Sequence, residues 1–201
     1  MSLPANELVA MLVAISFAAG LNVYATVGTL GLLARFAVLS LPASLHLLEN
    51  WWIIAASIIL FVIEFFADKV PALDLLWSAL HTFVRVPIAA LLTYAATSHL
   101  SPGKQLVATL LGGLIALAAH GGKTAVRAAV TPSPEPVSNI SLSLAEDALA
   151  ILLTWLAMQH PYSAAAIVVV LLTITFILIR WVVRALRVLF RGAEQKFIRV
   201  A

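Results

Sequence analysis

The sequence predicts an all-α, polytopic membrane helical bundle of about six transmembrane helices. Three observations predict it. The 201-residue chain is 63% hydrophobic and only 10% charged, well away from the balance of a soluble domain. Apolar runs recur from end to end, so the chain is membrane-embedded throughout rather than a soluble domain with an anchor. Six of its twelve Lys and Arg residues fall in Arg180–Arg199, a cluster that suits a membrane face.

The spans follow in order. The first apolar segment, Leu8–Leu39, would be about 48 Å long as one helix, too long for a single straight crossing of about 30 Å. Gly20-Leu21-Asn22 interrupts it near its middle, so it reads as one broken span or as a re-entrant piece plus a span. Trp51–Ala67 is the second, opened by an interfacial Trp51-Trp52 pair. Leu75–Ala96 is the third, with Pro87 inside it. The fourth, Gln105–Val130, is interrupted by Gly121-Gly122. Ser141–Met158 is the fifth, and Ala164–Phe190 the sixth. Residues 1–192 are thus expected to form one transmembrane domain, and residues 193–201 a basic cytoplasmic tail.

Charge asymmetry sets the expected orientation. With Arg180–Arg199 in the cytoplasm, the loops carrying Lys69 and Lys123–Asn139 lie on the same side, and only Lys104 and Arg35 fall outside. Both termini are then cytoplasmic, and the expected location is a bacterial cytoplasmic (inner) membrane. Met1–Ala19 ends in small residues like a signal peptide. It carries Glu7 where a positive region would stand, so it reads as part of a retained first span.

A weak internal repeat runs through the chain. Ala14–Ala25 can be laid on Ala116–Arg127, each a small-residue helix with a glycine interruption followed by two further spans. Three spans per unit make the second copy inverted. A 3+3 inverted repeat with broken helices 1 and 4 is a transporter pattern.

The few charges are placed where charge is costly. Glu64 and Asp68 share a face near the inner end of span two. Asp74, Ser78, His81 and Arg85 form one stripe on span three, with Arg85 about 16 Å from Asp74 along the axis. His120, Lys123, Thr124 and Arg127 form a stripe on span four. Ser143 and Asp147 share a face of span five, with Glu146 beside them. Each charge in hydrocarbon costs several kcal/mol, so the stripes must face one another, a wet cavity or a ligand. Five carboxylates, counting Asp74, nearly balance Lys69, Arg85, Lys123 and Arg127, as pairing in a low dielectric demands. Arg85 is expected to pair with Glu64 or Asp147. His81 and His120 are the candidate proton carriers.

A break at Gly121-Gly122 would free backbone N–H groups beside Lys123 and Arg127, an anion site. A break at Gly20-Leu21-Asn22 would do the same with Asn22 and Tyr24. The loop from Thr131 to Pro136 cannot be helical, and Ser143-Leu-Ala-Glu146 fits a capping box opening span five. Arg180, Arg184, Arg187 and Arg191 share a face and suit a helix leaving the bilayer along anionic headgroups. Two patterns mislead. Gly122-Lys123-Thr124 resembles the end of a P-loop, but no strand precedes it and position 117 is Leu. Asn139-Ile-Ser141 is a glycosylation sequon on the expected cytoplasmic side. The absence of cysteine excludes disulfides, iron–sulfur clusters and thiol nucleophiles.

Several of these motifs occur together. Ala19-Gly-Leu-Asn-Val-Tyr-Ala25, Glu64-Phe-Phe-Ala-Asp-Lys-Val-Pro71, His81-Thr-Phe-Val-Arg85, Ser133-Pro-Glu-Pro136 and Ser143-Leu-Ala-Glu-Asp147 resemble the membrane family termed domain of unknown function 4126. The likeness covers Ala14 to about Leu153 and leaves the C-terminal span and basic helix outside. It implies a multi-spanning bacterial membrane protein and carries over no activity. Val86 stands before Pro87 where the family pattern has a second proline, a departure that bears on the bend of span three.

The functional expectation is a small transporter or channel for an ion or solute. Its site is drawn from Asn22, Glu64, Asp68, His81, Arg85, His120, Lys123, Arg127, Glu146 and Asp147, in the cytoplasmic half of the bundle. Two other classes fit the same stripes: a membrane-embedded enzyme acting on a lipid or lipid-linked phosphate, and a structural or assembly protein. No cofactor is expected, although the carboxylates have the chemistry to hold an ion or a divalent metal. Expected partners are membrane lipids and further copies of the chain, since six helices offer little interior for so many charges. The net charge of +3 does not point to nucleic acid.

Overall fold

The computed structural model describes the backbone of residues 4–68, 71–130 and 136–200. The side chains at 71–78, 128–130, 136–139, 185–186 and 188–200 lie outside the described set, as do Lys69, Val70 and the loop 131–135. Among the described residues every regular element is helical: α1 (Ala5–Leu21), α2 (Val23–Arg35), a 3₁₀ turn (Ala43–Glu49), α3 (Trp51–Ala67), α4 (Pro71–Ala96), α5 (Pro102–Val130), α6 (Pro136–Gln159) and α7 (Pro161–Val200). Four of the helices open on proline. That position suits it, because the missing N–H has no intrahelical partner there and φ is already helical.

α1 is the central post. It is apolar on all sides, from Leu8 through Leu21, and a helix without a polar face belongs inside a bundle. It packs against α2, α4, α5, α6 and α7. Its small residues allow this. A Cβ added at Gly20 would lie 2.7 Å from the Ala119 Cβ and would strike the Ala116 backbone of α5. Such small-residue crossings replace the hydrophobic drive that lipid does not supply. Halfway along, Ser16 Oγ lies 3.3 Å from Thr93 Oγ1 of α4.

The outer helices show the opposite pattern. Large apolar side chains such as Phe83, Leu114, Val169 and Phe176 stand exposed on α4, α5 and α7, as a lipid-facing surface requires. Among the described residues four helices are long and apolar enough to cross a bilayer: Ala79–Ala96, Pro102–Arg127, Ile140–Gln159 and Pro161–Arg184. The 3₁₀ turn and α3, bent by 63°, make a fifth if they act as one broken span. The long first segment divides at Asn22 into α1 and α2, each shorter than a full crossing. Trp51 and Trp52 are exposed at the start of α3, and the Arg35 guanidinium lies 5.3 Å from the Trp51 ring centre.

Three expectations are corrected. α5 runs unbroken through Gly121-Gly122, so helix 4 of the expected repeat is not broken. Glycine inside a helix costs only about 1 kcal/mol, and Gly122 is kept small by α7: a Cβ there would lie 2.6 Å from Thr175 Cγ2. The anion site at that break therefore has no free N–H groups to build it. The capping box at Ser143 is not formed either, because α6 already begins at Pro136.

A charged core at a broken helix

The break in the first segment is built by Asn22. Its backbone leaves the helix at φ −150°, ψ 104°. Its side-chain Oδ1 accepts the Ala25 N–H at 2.9 Å, capping α2, the arrangement that makes Asn favourable at this position. That bond settles which end of the amide is which. Oδ1 must face the Ala25 donor, so Nδ2 faces α6, where it donates to Asp147 Oδ1 at 2.8 Å. Asn22 is 0% exposed.

Around this break α3, α4, α5 and α6 bring seven ionisable side chains into one cluster, none of them more than 7% exposed. Lys123 is the hub. Its Nζ donates to Asp68 Oδ2 at 3.0 Å and lies 3.2 Å from Glu146 Oε2 and 3.7 Å from Glu64 Oε1. Arg127, one turn along α5, reaches Asp68 Oδ2 and Glu146 Oε2, both at 2.8 Å. Arg85 pairs with Glu64 and donates from its second nitrogen to His120 Nδ1 at 2.9 Å. A guanidinium has no lone pair to offer, so His120 Nδ1 must be the acceptor. His120 is then neutral, with its proton on Nε2 donated to Thr82 Oγ1 at 2.8 Å.

His81 shares a 3.0 Å hydrogen bond with the Tyr24 hydroxyl, with the two rings edge to face. The ten candidate residues thus divide. Glu64, Asp68, Arg85, His120, Lys123, Arg127 and Glu146 form one connected network, Asn22 and Asp147 form a pair beside it, and His81 is tied to α2. Asp74 and Lys69, which the sequence placed with them, lie outside the described side chains. Among the described residues no three His, Asp or Glu side chains converge as metal ligands. The carboxylates of Asp68 and Glu146 converge on Lys123 and Arg127 instead.

Sequence spacing did not single out Thr82 or the proton-bearing state of His120, because a stripe identifies a helix face and not the neighbour it meets. It also gave no sign of a cavity of about 880 Å³ at the other end of α1, lined among others by Glu7, Met11, His46, His160 and Tyr162. Those residues come from helix ends, which share no period.

The apolar helices and their buried ionised core define a class: a helical membrane protein with a charged interior. The chain belongs to the family described as domain of unknown function 4126, whose model matches residues 9–181. The match extends well into α7, beyond the Leu153 limit expected from the motifs. Neither the curated proteins nor the solved structures include a match.

Proposed function

We propose that this protein is a small membrane carrier for an ion or small solute, with its site at the charged core. The observation that carries the proposal is the placement of seven buried ionisable groups around a broken helix. Intramembrane charge is costly and marks ion or substrate paths by default, and broken helices at membrane depth recur in carriers. The cavity at the far end of α1 supplies a vestibule. From its floor at Met11 to Asn22 is about 16 Å of helix, packed by Ser16, Ala18, Ala19 and Gly20. A vestibule, a packed barrier and a buried site in sequence suit a carrier better than an open channel.

The core lies toward the end where the arginines of α7 emerge, since Ile179 packs near Gly121 at the level of His120. Under the positive-inside rule this end is cytoplasmic. We extend the reading to six crossings with both termini in the cytoplasm of a bacterial inner membrane, and to a homo-oligomer.

The test is reconstitution into vesicles containing a pH-sensitive dye, with an imposed pH gradient or membrane potential. Wild-type protein should dissipate the gradient, and Glu64→Gln or Lys123→Ala should abolish that activity. Flux that is absent in the wild type, or unchanged in both variants, would sink the proposal.

One observation favours a structural reading instead. Each cation of the core has a carboxylate within 3.0 Å, which is what a clamp joining α3 to α6 would show. Under that reading, loss of activity in every core variant tracks loss of thermal stability.

A further inference from the structure

Among the described residues the core holds one carboxylate more than it holds cations. Glu64, Asp68, Glu146 and Asp147 face Arg85, Lys123 and Arg127. Three of the four carboxylates touch a cation: Glu64 meets Arg85, while Asp68 and Glu146 share Lys123 and Arg127. Asp147 has the neutral Asn22 amide. Its other oxygen, Oδ2, is buried and has no hydrogen-bond partner. One turn earlier on the same face of α6, the Ser143 hydroxyl is also buried and without a partner. An ionised carboxylate at 5% exposure with no cation in contact is a costly arrangement, and one added proton removes the excess charge.

We propose that Asp147 is a proton-binding site, occupied at neutral pH, with the proton on Oδ2. A metal cation fits less well. Asn22 presents its NH₂ group to Asp147 and spends its oxygen on Ala25, and no metal-ligand set forms among the described residues. A proton needs only one lone pair.

The surroundings bear on this site from every side. α3 contributes Glu64 and Asp68, and α5 contributes Lys123, whose charges act on Asp147 directly. Arg127 and Arg85 stand behind them, each paired, and Glu146 is the neighbour on α6 itself. His120 adds no charge, because Arg85 donates to its Nδ1. His81 is held by the Tyr24 hydroxyl. α7 places no buried ionisable side chain among the described residues. Proton release to water from Asp147 would add a negative charge to the core, drawing on Lys123 and tightening the Asn22 contact. A role in transport rests on the carrier reading, but the existence of the proton does not.

The test is infrared spectroscopy of the purified full-length protein in detergent at neutral pH. The expected result is the C=O stretch of one protonated carboxyl group per chain. It should be absent in Asp147→Asn and retained in His81→Gln. The absence of that band, or its persistence in Asp147→Asn, would overturn the proposal. So would stabilisation by sodium chloride over choline chloride that needs Asp147 and comes with no such band, which would mean bound Na⁺. A band that depends on Asp147, in a protein that moves no protons in vesicles, keeps the proton site and removes the carrier reading.

Discussion

The charged core has two sides, and they solve the same problem differently. On one, Asp68 and Glu146 share Lys123 and Arg127 in a lattice of contacts at 2.8–3.2 Å. On the other, Asp147 meets only an amide, at the point where the central helix breaks. The comparison teaches that burial alone does not assign a role. A buried ion pair holds its partners by leaving any single one costly to remove. A buried carboxylate without a cation has somewhere to put a proton.

Substitutions separate the two sides, and the largest effect is expected on the paired one. Arg85→Leu removes the closest cation of Glu64, itself 0% exposed, and leaves that carboxylate to Lys123 at 3.7 Å. Breaking such a pair costs about 3–5 kcal/mol, which should appear as a large drop in thermal unfolding temperature or a loss of folded protein in detergent. Asp68→Asn should cost a similar amount, since Lys123 and Arg127 would both lose the carboxylate oxygen they share. The next effect is steric. Gly20→Ala drives a methyl group into the Ala116 backbone and should cost about 1–3 kcal/mol, the usual range for overpacking. Asn22→Ala removes the cap of α2, about 1 kcal/mol, and should also expose amides in α2 to faster hydrogen exchange. The smallest effect is expected at Asp147→Asn, which mimics the protonated group and should change stability at neutral pH by less than about 1 kcal/mol. Equal costs for Asp68→Asn and Asp147→Asn would erase the distinction between the sides.

Much of this interior was legible in the sequence, for a simple reason. Charges in a chain this apolar must be buried together, so the i, i+4 stripes of Glu64 with Asp68 and of Lys123 with Arg127 located the core. The break at Asn22 was legible too, because Asn caps a helix through its own side chain. Gly121-Gly122 looked similar and behaved differently. Glycine permits a break without building a cap, and Thr175 of α7 requires the small residue for packing. The pairing within the core was less legible. Helical spacing names the face and leaves open which neighbour it meets, so both Glu64 and Asp147 stood as partners for Arg85 until α3 and α4 were placed. Ser143 read as a cap because its distance from the true helix start at Pro136 is not written in the local pattern.

The central claim is that Asp147, buried with an amide partner and no contacting cation, carries a proton. The most direct test is the stability of wild type against Asp147→Asn as a function of pH. A folded chain that binds one proton more than the unfolded chain loses stability as pH rises, by up to about 1.4 kcal/mol per pH unit. That loss begins above the ordinary aspartate range near about 4 and ends once the folded Asp147 is itself ionised. The account predicts this decline in the wild type and its absence in Asp147→Asn. Parallel curves for the two proteins, or a wild type that gains stability relative to the variant as pH rises, would contradict it.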